Sequence, residues 1–190
     1  MSETSASGRY WVRNTTIAVG VIAIAFLVLL VFARTGPRDS AESNLLGKPA
    51  PVVETTTLEG ESFNLSHRKG SWVLLNFFNS TCVPCVREHP ELVKFVADEE
   101  SRDEPAELYT VINDDSDDAV RNFFDKNGGS WGKIKDDNGE IAVAFGVAKV
   151  PETWIIDPNG YVRMRIAGEV TAEFLAVSYT HLRAHETSLH

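Results

Sequence analysis

Cys82 and Cys85 are the only cysteines in a chain of 190 residues, and they stand three positions apart in the run Cys82-Val83-Pro84-Cys85. Two sulfurs at that spacing can open and close a small disulfide, which is thiol–disulfide exchange chemistry. A static bridge is the plainer alternative. It would close a four-residue loop, which constrains the unfolded chain little and adds modest stability. Two cysteines cannot build the disulfide framework of a small secreted domain. A tetrahedral zinc site needs four ligands, and the rest of the chain offers no obvious pair. Before the last ten residues the only histidines are His67 and His89, each read as a lone solvent-facing side chain.

The surroundings of the pair favour exchange. Trp72 to Phe78 (W-V-L-L-N-F-F) is a near-continuous apolar run, too short for a helix and suited to a strand buried on both faces. It leads into the cysteines, and helical spacing follows from Val83 to about Ala97. Val86, Leu92, Val93 and Val96 are the expected core positions there, with Phe95 beside them. Pro84 suits a first helical turn, whereas Pro90 falls inside the helix and should kink it. Cys82 would then sit at a helix N-terminus, where backbone amides and the helix dipole favour a thiolate. Cys85 lies one turn on, more buried. Cys82 would attack a substrate disulfide, and Cys85 would then attack Cys82 and release the reduced substrate.

Three further positions bear on this chemistry. Glu88 stands three residues after Cys85, one helical turn on. It could relay the proton of Cys85 or be an ordinary first-turn carboxylate. Val150-Pro151 begins a strand-like run, P-E-T-W-I-I-D. X-Pro is the bond at which cis is cheap, though an edge-strand trans proline fits the same residues.

The elements that must position these groups alternate along the chain. Val52 to Thr57 and Ser62 to Leu65 suggest a small hairpin, and Glu107 to Ile112 a second buried strand. Asp114-Asp115-Ser116-Asp117-Asp118 could be a metal cluster. It reads better as a helix N-terminus, where carboxylates cap amides, with Gly128-Gly129 ending that helix. A short helix is expected between Gly139 and Gly146. Thr153 to Ile156, Pro158-Asn159-Gly160 and Tyr161 to Ile166 read as a hairpin, and a last helix begins near Thr171. Alternating strands and helices with a late hairpin predict an α/β fold, a central mixed sheet with helices on both faces.

Outside this domain, residues 16–33 carry no charge and are long enough to cross a bilayer as a helix. A cleaved signal peptide is the alternative, with small residues near Ala33. Arg9 and Arg13 precede the run, and Arg34 and Arg38 follow it, so arginine asymmetry does not set the orientation. The expected organisation is a cytoplasmic segment at 1–15, an anchor at 16–33, a linker at 34–46, a folded domain at 47–177 and a non-native tail at 178–190. That tail holds three of the five histidines and shows no convincing amphipathic continuation. A net charge of -9 excludes nucleic acid as a partner.

From about Leu46 to Phe174 the chain resembles the TlpA/ResA/CcmG (DsbE) branch of thioredoxin-like proteins. The resemblance rests on G-K-P-A-P from Gly47 with T-L-E-G-E-S-F-N-L, on L-L-N-F-F-N-S-T-C-V-P-C-V-R-E-H-P, and on F-G-V-A-K-V-P-E-T-W-I-I-D-P-N-G. It implies a thioredoxin fold with an added N-terminal hairpin, and Cys82 and Cys85 as a redox disulfide. It also implies a cis Val150-Pro151 that lies beside the cysteines and, with Thr81, contacts substrate. Asn76 stands where thioredoxin proper has a buried Asp; the family carries its acidic residue at the position of Glu88, which implies a catalytic role there. Thr81 replaces the family's usual Trp and removes a flat aromatic contact. The resemblance further implies an enzyme tethered to a bacterial cell membrane with its catalytic domain outside the cytoplasm, reducing protein disulfides such as those of apocytochrome c. Electrons would come from a membrane thiol donor, and no cofactor or metal is expected. No His lies between the cysteines, which in related folds goes with reduction. A general disulfide oxidase or isomerase is the alternative, and a copper-binding module of the same fold is a more distant one.

Overall fold

The computed structural model describes residues 7–34 and 44–187. The chain divides into two compact units, 1–41 and 42–190. The described residues of the first form the helix α1 (Ser7–Arg34). Its described side chains between 16 and 29 are all exposed, among them Ile22, Phe26 and Leu27. Among the described residues no helix is long and apolar enough to cross a membrane. The expected anchor at 16–33 runs beyond those side chains. Residues 35–43 of the expected linker and 188–190 of the expected tail lie outside the described residues.

The second unit opens with the expected hairpin, β1 (Glu54–Thr56) antiparallel to β2 (Ser62–Asn64). The main sheet then builds in chain order from β3 (Val73–Phe78), β4 (Glu107–Ile112), β5 (Gly132–Lys135), β6 (Glu152–Ile156) and β7 (Val162–Ala167). Its strands are ordered β5-β4-β3-β6-β7, with β3 parallel to β4 and antiparallel to β6. This is the mixed sheet expected from the alternation of elements. β3 lies at its centre and is buried along its whole length, because its apolar run serves both faces.

The helices are α2 (Val83–Glu99), α3 (Asp117–Asn127), α4 (Glu140–Phe145) and α5 (Ala172–Thr187). On one face of the sheet Leu74 and Phe78 of β3 join Leu92 and Phe95 of α2, Phe124 of α3 and Leu175 and Tyr179 of α5. On the other, Val73, Leu75 and Phe77 join Phe63, Phe145 and Trp154. The alternation along β3 therefore sends Asn76 to the face that α2 covers.

Three expectations need correction. Val86 is exposed, whereas Leu92 is buried, Val93 and Val96 pack against the core, and Phe95 beside them is buried as well. The helix α2 buries Cys85, Glu88, His89, Leu92, Phe95 and Glu99. Its first turn leaves Cys82 partly exposed and sends Cys85 into the core. The expected end of the fold at 177 falls inside α5. Tyr179 is fully buried, with its ring edge-on to Trp72 at 5.5 Å between centroids. His89, expected in solvent, is buried. The acidic run behaves as expected: Ser116 caps α3, accepting from Ala119 N at 3.2 Å, and Gly128 ends it at φ +78°.

Candidate active site

The turn between β3 and α2 is held by two side chains, Asn79 and Asp115. Asn79 Nδ2 donates to the carbonyls of Asn113 and Asp114 at 3.1 and 2.7 Å, in the loop after β4. Asn79 Oδ1 accepts from Thr81 N and Thr81 Oγ1 at 2.8 and 2.6 Å. Asp115 adds a carboxylate on Ser80 N at 2.5 Å. Cys82 is thereby set at the N-cap of α2 with an extended backbone.

Cys85 N donates to Cys82 Sγ at 3.3 Å, and the two sulfurs are joined as a disulfide. Cys82 is partly exposed, whereas Cys85 is buried at 1%. An amide aimed at the first sulfur, with the helix dipole behind it, stabilises a thiolate once the bond opens. Across from it, Cys82 Sγ lies 3.6 Å from the Val150 carbonyl oxygen, and the Val150-Pro151 bond is cis. Thr81 is exposed beside Cys82, with its hydroxyl spent on Asn79. The structure thus brings Thr81, Cys82, Cys85, Val150 and Pro151 together.

Glu88 sits one turn below Cys85 and is buried. Its Oε1 accepts from Asn76 Nδ2 at 2.6 Å and its Oε2 from Val170 N at 2.8 Å. Asn76 Nδ2 also donates to Thr153 Oγ1 at 3.0 Å. Burial pushes the carboxyl up to about 7; the two donors oppose that rise and the charge of Glu169 adds to it. A carboxyl poised there exchanges a proton near neutral pH, as an acid–base group must. The reading of Glu88 as a plain helix-surface carboxylate does not fit this burial. Thr153 and Val170 carried no signal in the sequence: one is a hydroxyl inside a strand, the other acts through its backbone.

His89, the next residue along α2, is buried on the side towards α3. Its ring lies among Phe78, Phe123, Phe124 and Trp131, and its Nε2 is 3.0 Å from the Gly128 carbonyl oxygen. Burial holds it below the ordinary histidine range. Among the described residues no cluster of three or more His, Cys, Asp or Glu side chains could hold a metal ion.

Comparison with known proteins agrees with this geometry. Residues 46–165 match the AhpC/TSA family. The chain is 34% identical over 130 residues to the thiol-disulfide oxidoreductase ResA of Bacillus thuringiensis subsp. konkukian, spanning 68% of this chain and 74% of that protein. It is 32% identical to the thiol:disulfide interchange protein HelX of Rhodobacter capsulatus, over 80% of this chain and 90% of the relative. The crystal structure of StoA from Bacillus subtilis superposes with a TM-score of 0.57 at 27% identity, covering 68% of this chain and 96% of that one. The chain belongs to the thioredoxin-like AhpC/TSA family, among its ResA, HelX and DsbE relatives, and is a thiol-disulfide oxidoreductase with a Cys82–Cys85 pair.

Proposed function

We propose that the protein reduces disulfides in protein substrates outside the cytoplasm while tethered to a bacterial membrane through residues 16–33. The carrying observation is Glu88, a buried carboxyl poised near 7 one turn from the buried Cys85. In a reductive cycle Cys82 thiolate attacks the substrate disulfide, one substrate sulfur leaves as thiolate, and Cys82 stays linked to the other. Cys85 must then lose its proton inside a site with little water. Glu88 carboxylate takes it, Cys85 attacks Cys82 Sγ, and the second substrate thiolate departs. Two electrons have passed to the substrate and the enzyme pair is left oxidised. A membrane thiol donor restores it by the reverse exchange. The Val150 carbonyl beside Cys82 offers a backbone acceptor to an extended substrate segment. The family resemblance supports apocytochrome c as the substrate, and no cofactor enters the cycle.

Direction is tested by equilibrating the full chain with glutathione poised at about -200 mV. A reductant is mostly oxidised there. A pair found mostly reduced would make the protein an oxidase or isomerase instead. The substrate is tested with a Cys85→Ser variant in membranes, which should accumulate a mixed disulfide with a cysteine-containing apoprotein. Trapping only of proteins without a cysteine pair would remove apocytochrome c from the account.

A further inference from the structure

The connection between β7 and α5 is tied to α2 at three successive points. Arg87 Nε donates to Glu169 Oε2 at 3.1 Å, and Arg87 Nη2 donates to Glu169 Oε1, making a two-pronged ion pair. Val170 N donates to Glu88 Oε2 at 2.8 Å. Ala172 N donates to Glu91 Oε2 at 2.9 Å. The segment starts at Gly168, at φ +99°, whose N–H donates to the Pro151 carbonyl at 2.9 Å. Residues 168–172 thus lie between the proline beside Cys82 and the helix that carries Cys85.

We propose that Arg87 and Glu169 are a positioning pair for thiol–disulfide exchange: their fork holds residues 168–172 against α2 so that the Val170 amide stays on Glu88. This rests on the reading of Glu88 as the group that receives the Cys85 proton. An exposed ion pair stabilises a fold little by itself. A two-pronged Arg–carboxylate contact does fix geometry, and here the residue it fixes is chain neighbour to a buried donor. Once Val170 N withdraws, the carboxylate keeps only Asn76 as donor in a dry site, and its acid form gains.

Charge alone predicts something different, so the two effects separate. The groups facing Glu88 are Cys85, Arg87 and Glu91 on α2, Asn76 on β3, Thr153 on β6, and Glu169 with Val170 on the connection. Glu169 raises the Glu88 midpoint through its charge. If the pair acted only electrostatically, Glu169→Gln would lower that midpoint and Arg87→Gln would raise it. If the pair positions Val170, both substitutions raise it, because both release the segment.

The test uses the full chain in detergent micelles, oxidised so that the thiols do not titrate. Side-chain carboxyls of glutamate are labelled with carbon-13, and Glu88→Gln assigns the resonance. Arg87→Gln and Glu169→Gln should each move the Glu88 midpoint upward by about half a pH unit or more. The reversed pair, Arg87→Glu with Glu169→Arg, should return it towards wild type. A downward shift in Glu169→Gln overturns the positioning role in favour of charge alone. No shift in either variant overturns it too, and so does a reversed pair that stays shifted, while Glu88 itself keeps its role. A spectrum with no glutamate titrating near 7 that Glu88→Gln removes would fail the Glu88 reading instead, and the positioning role with it.

Discussion

Asn76 Nδ2 donates to Glu88 Oε1 at 2.6 Å across the buried boundary between β3 and α2. The contact joins a central strand to the helix that begins at the redox pair, and neither of the two donors to Glu88 carries a full charge. Neutral donors offset only part of the cost of burying a carboxylate, so desolvation wins and the midpoint rises to about 7.

That rise has a sign in stability. The folded protein holds the Glu88 proton more tightly than the unfolded chain, whose carboxyl has the ordinary value of 4.5. Stability from this group is therefore full below about 4.5, declines as pH climbs towards 7, and the penalty is complete above it. The whole swing is on the order of 3 kcal/mol. Glu88→Gln removes it. Urea unfolding of the oxidised proteins should show the variant gaining about 2–3 kcal/mol on wild type between pH 4.5 and pH 8. A difference that stays constant across this range would mean that Glu88 titrates normally.

The two sulfurs differ in access and in partners. Cys82 is partly exposed and receives the Cys85 amide, whereas Cys85 is 1% exposed. Limiting alkylating reagent on the reduced protein should label Cys82 at least about tenfold faster than Cys85, since reactivity follows thiolate character and exposure. Peptide mapping reads the ratio. Faster labelling of Cys85 would reverse their roles in exchange.

His89 should produce the opposite pH slope to its neighbour. Burial holds its folded value below the ordinary 6.5, so the unfolded chain binds that proton more tightly. The contribution is fully present above 6.5 and is lost as pH falls below it. His89→Phe keeps a ring among Phe78, Phe123, Phe124 and Trp131 and removes the titration. Its unfolding free energy should fall less than that of wild type between pH 7 and pH 5. Parallel curves would show that His89 is protonated freely in the fold.

What was legible in the chain depended on whether an element speaks through its own side chains. β3 could be read from one apolar run, and the cysteine pair from its place between that run and a helix. Glu88 could be placed one turn from Cys85, but its burial could not, since the inward stripe of α2 mixes Glu88, His89 and Glu99 with Leu92 and Phe95. β5 was missed because Gly132-Lys133-Ile134-Lys135 buries only Ile134 and sits at a sheet edge. Val170 reaches Glu88 through a backbone amide 82 residues away, which no residue type announces. The aromatic enclosure of His89 comes from three separate elements, β3, α3 and the segment before β5, that only the folded topology brings together.

The C-terminal half of α5 carries the last prediction. Its sequence after Val177 has no clear apolar stripe, yet Tyr179 is fully buried with its ring edge-on to Trp72, the residue before β3. Arg183 Nη1 donates to the Tyr179 hydroxyl at 3.0 Å, and Arg183 Nη2 donates to Glu104 Oε2 at 2.7 Å. These contacts close the end of β3 opposite to Cys82, so they should matter for stability and not for the redox chemistry. Removing a large buried aromatic costs about 3–5 kcal/mol. Tyr179→Ala, or a chain ending at Val177, should lower the unfolding free energy read from urea titration by that much, and the urea midpoint with it, while leaving the alkylation rate of Cys82 within about twofold of wild type under native conditions. An unchanged urea midpoint in the shortened chain would mean that residues 178–187 lie outside the cooperative fold, and the domain would then end at 177 as first expected.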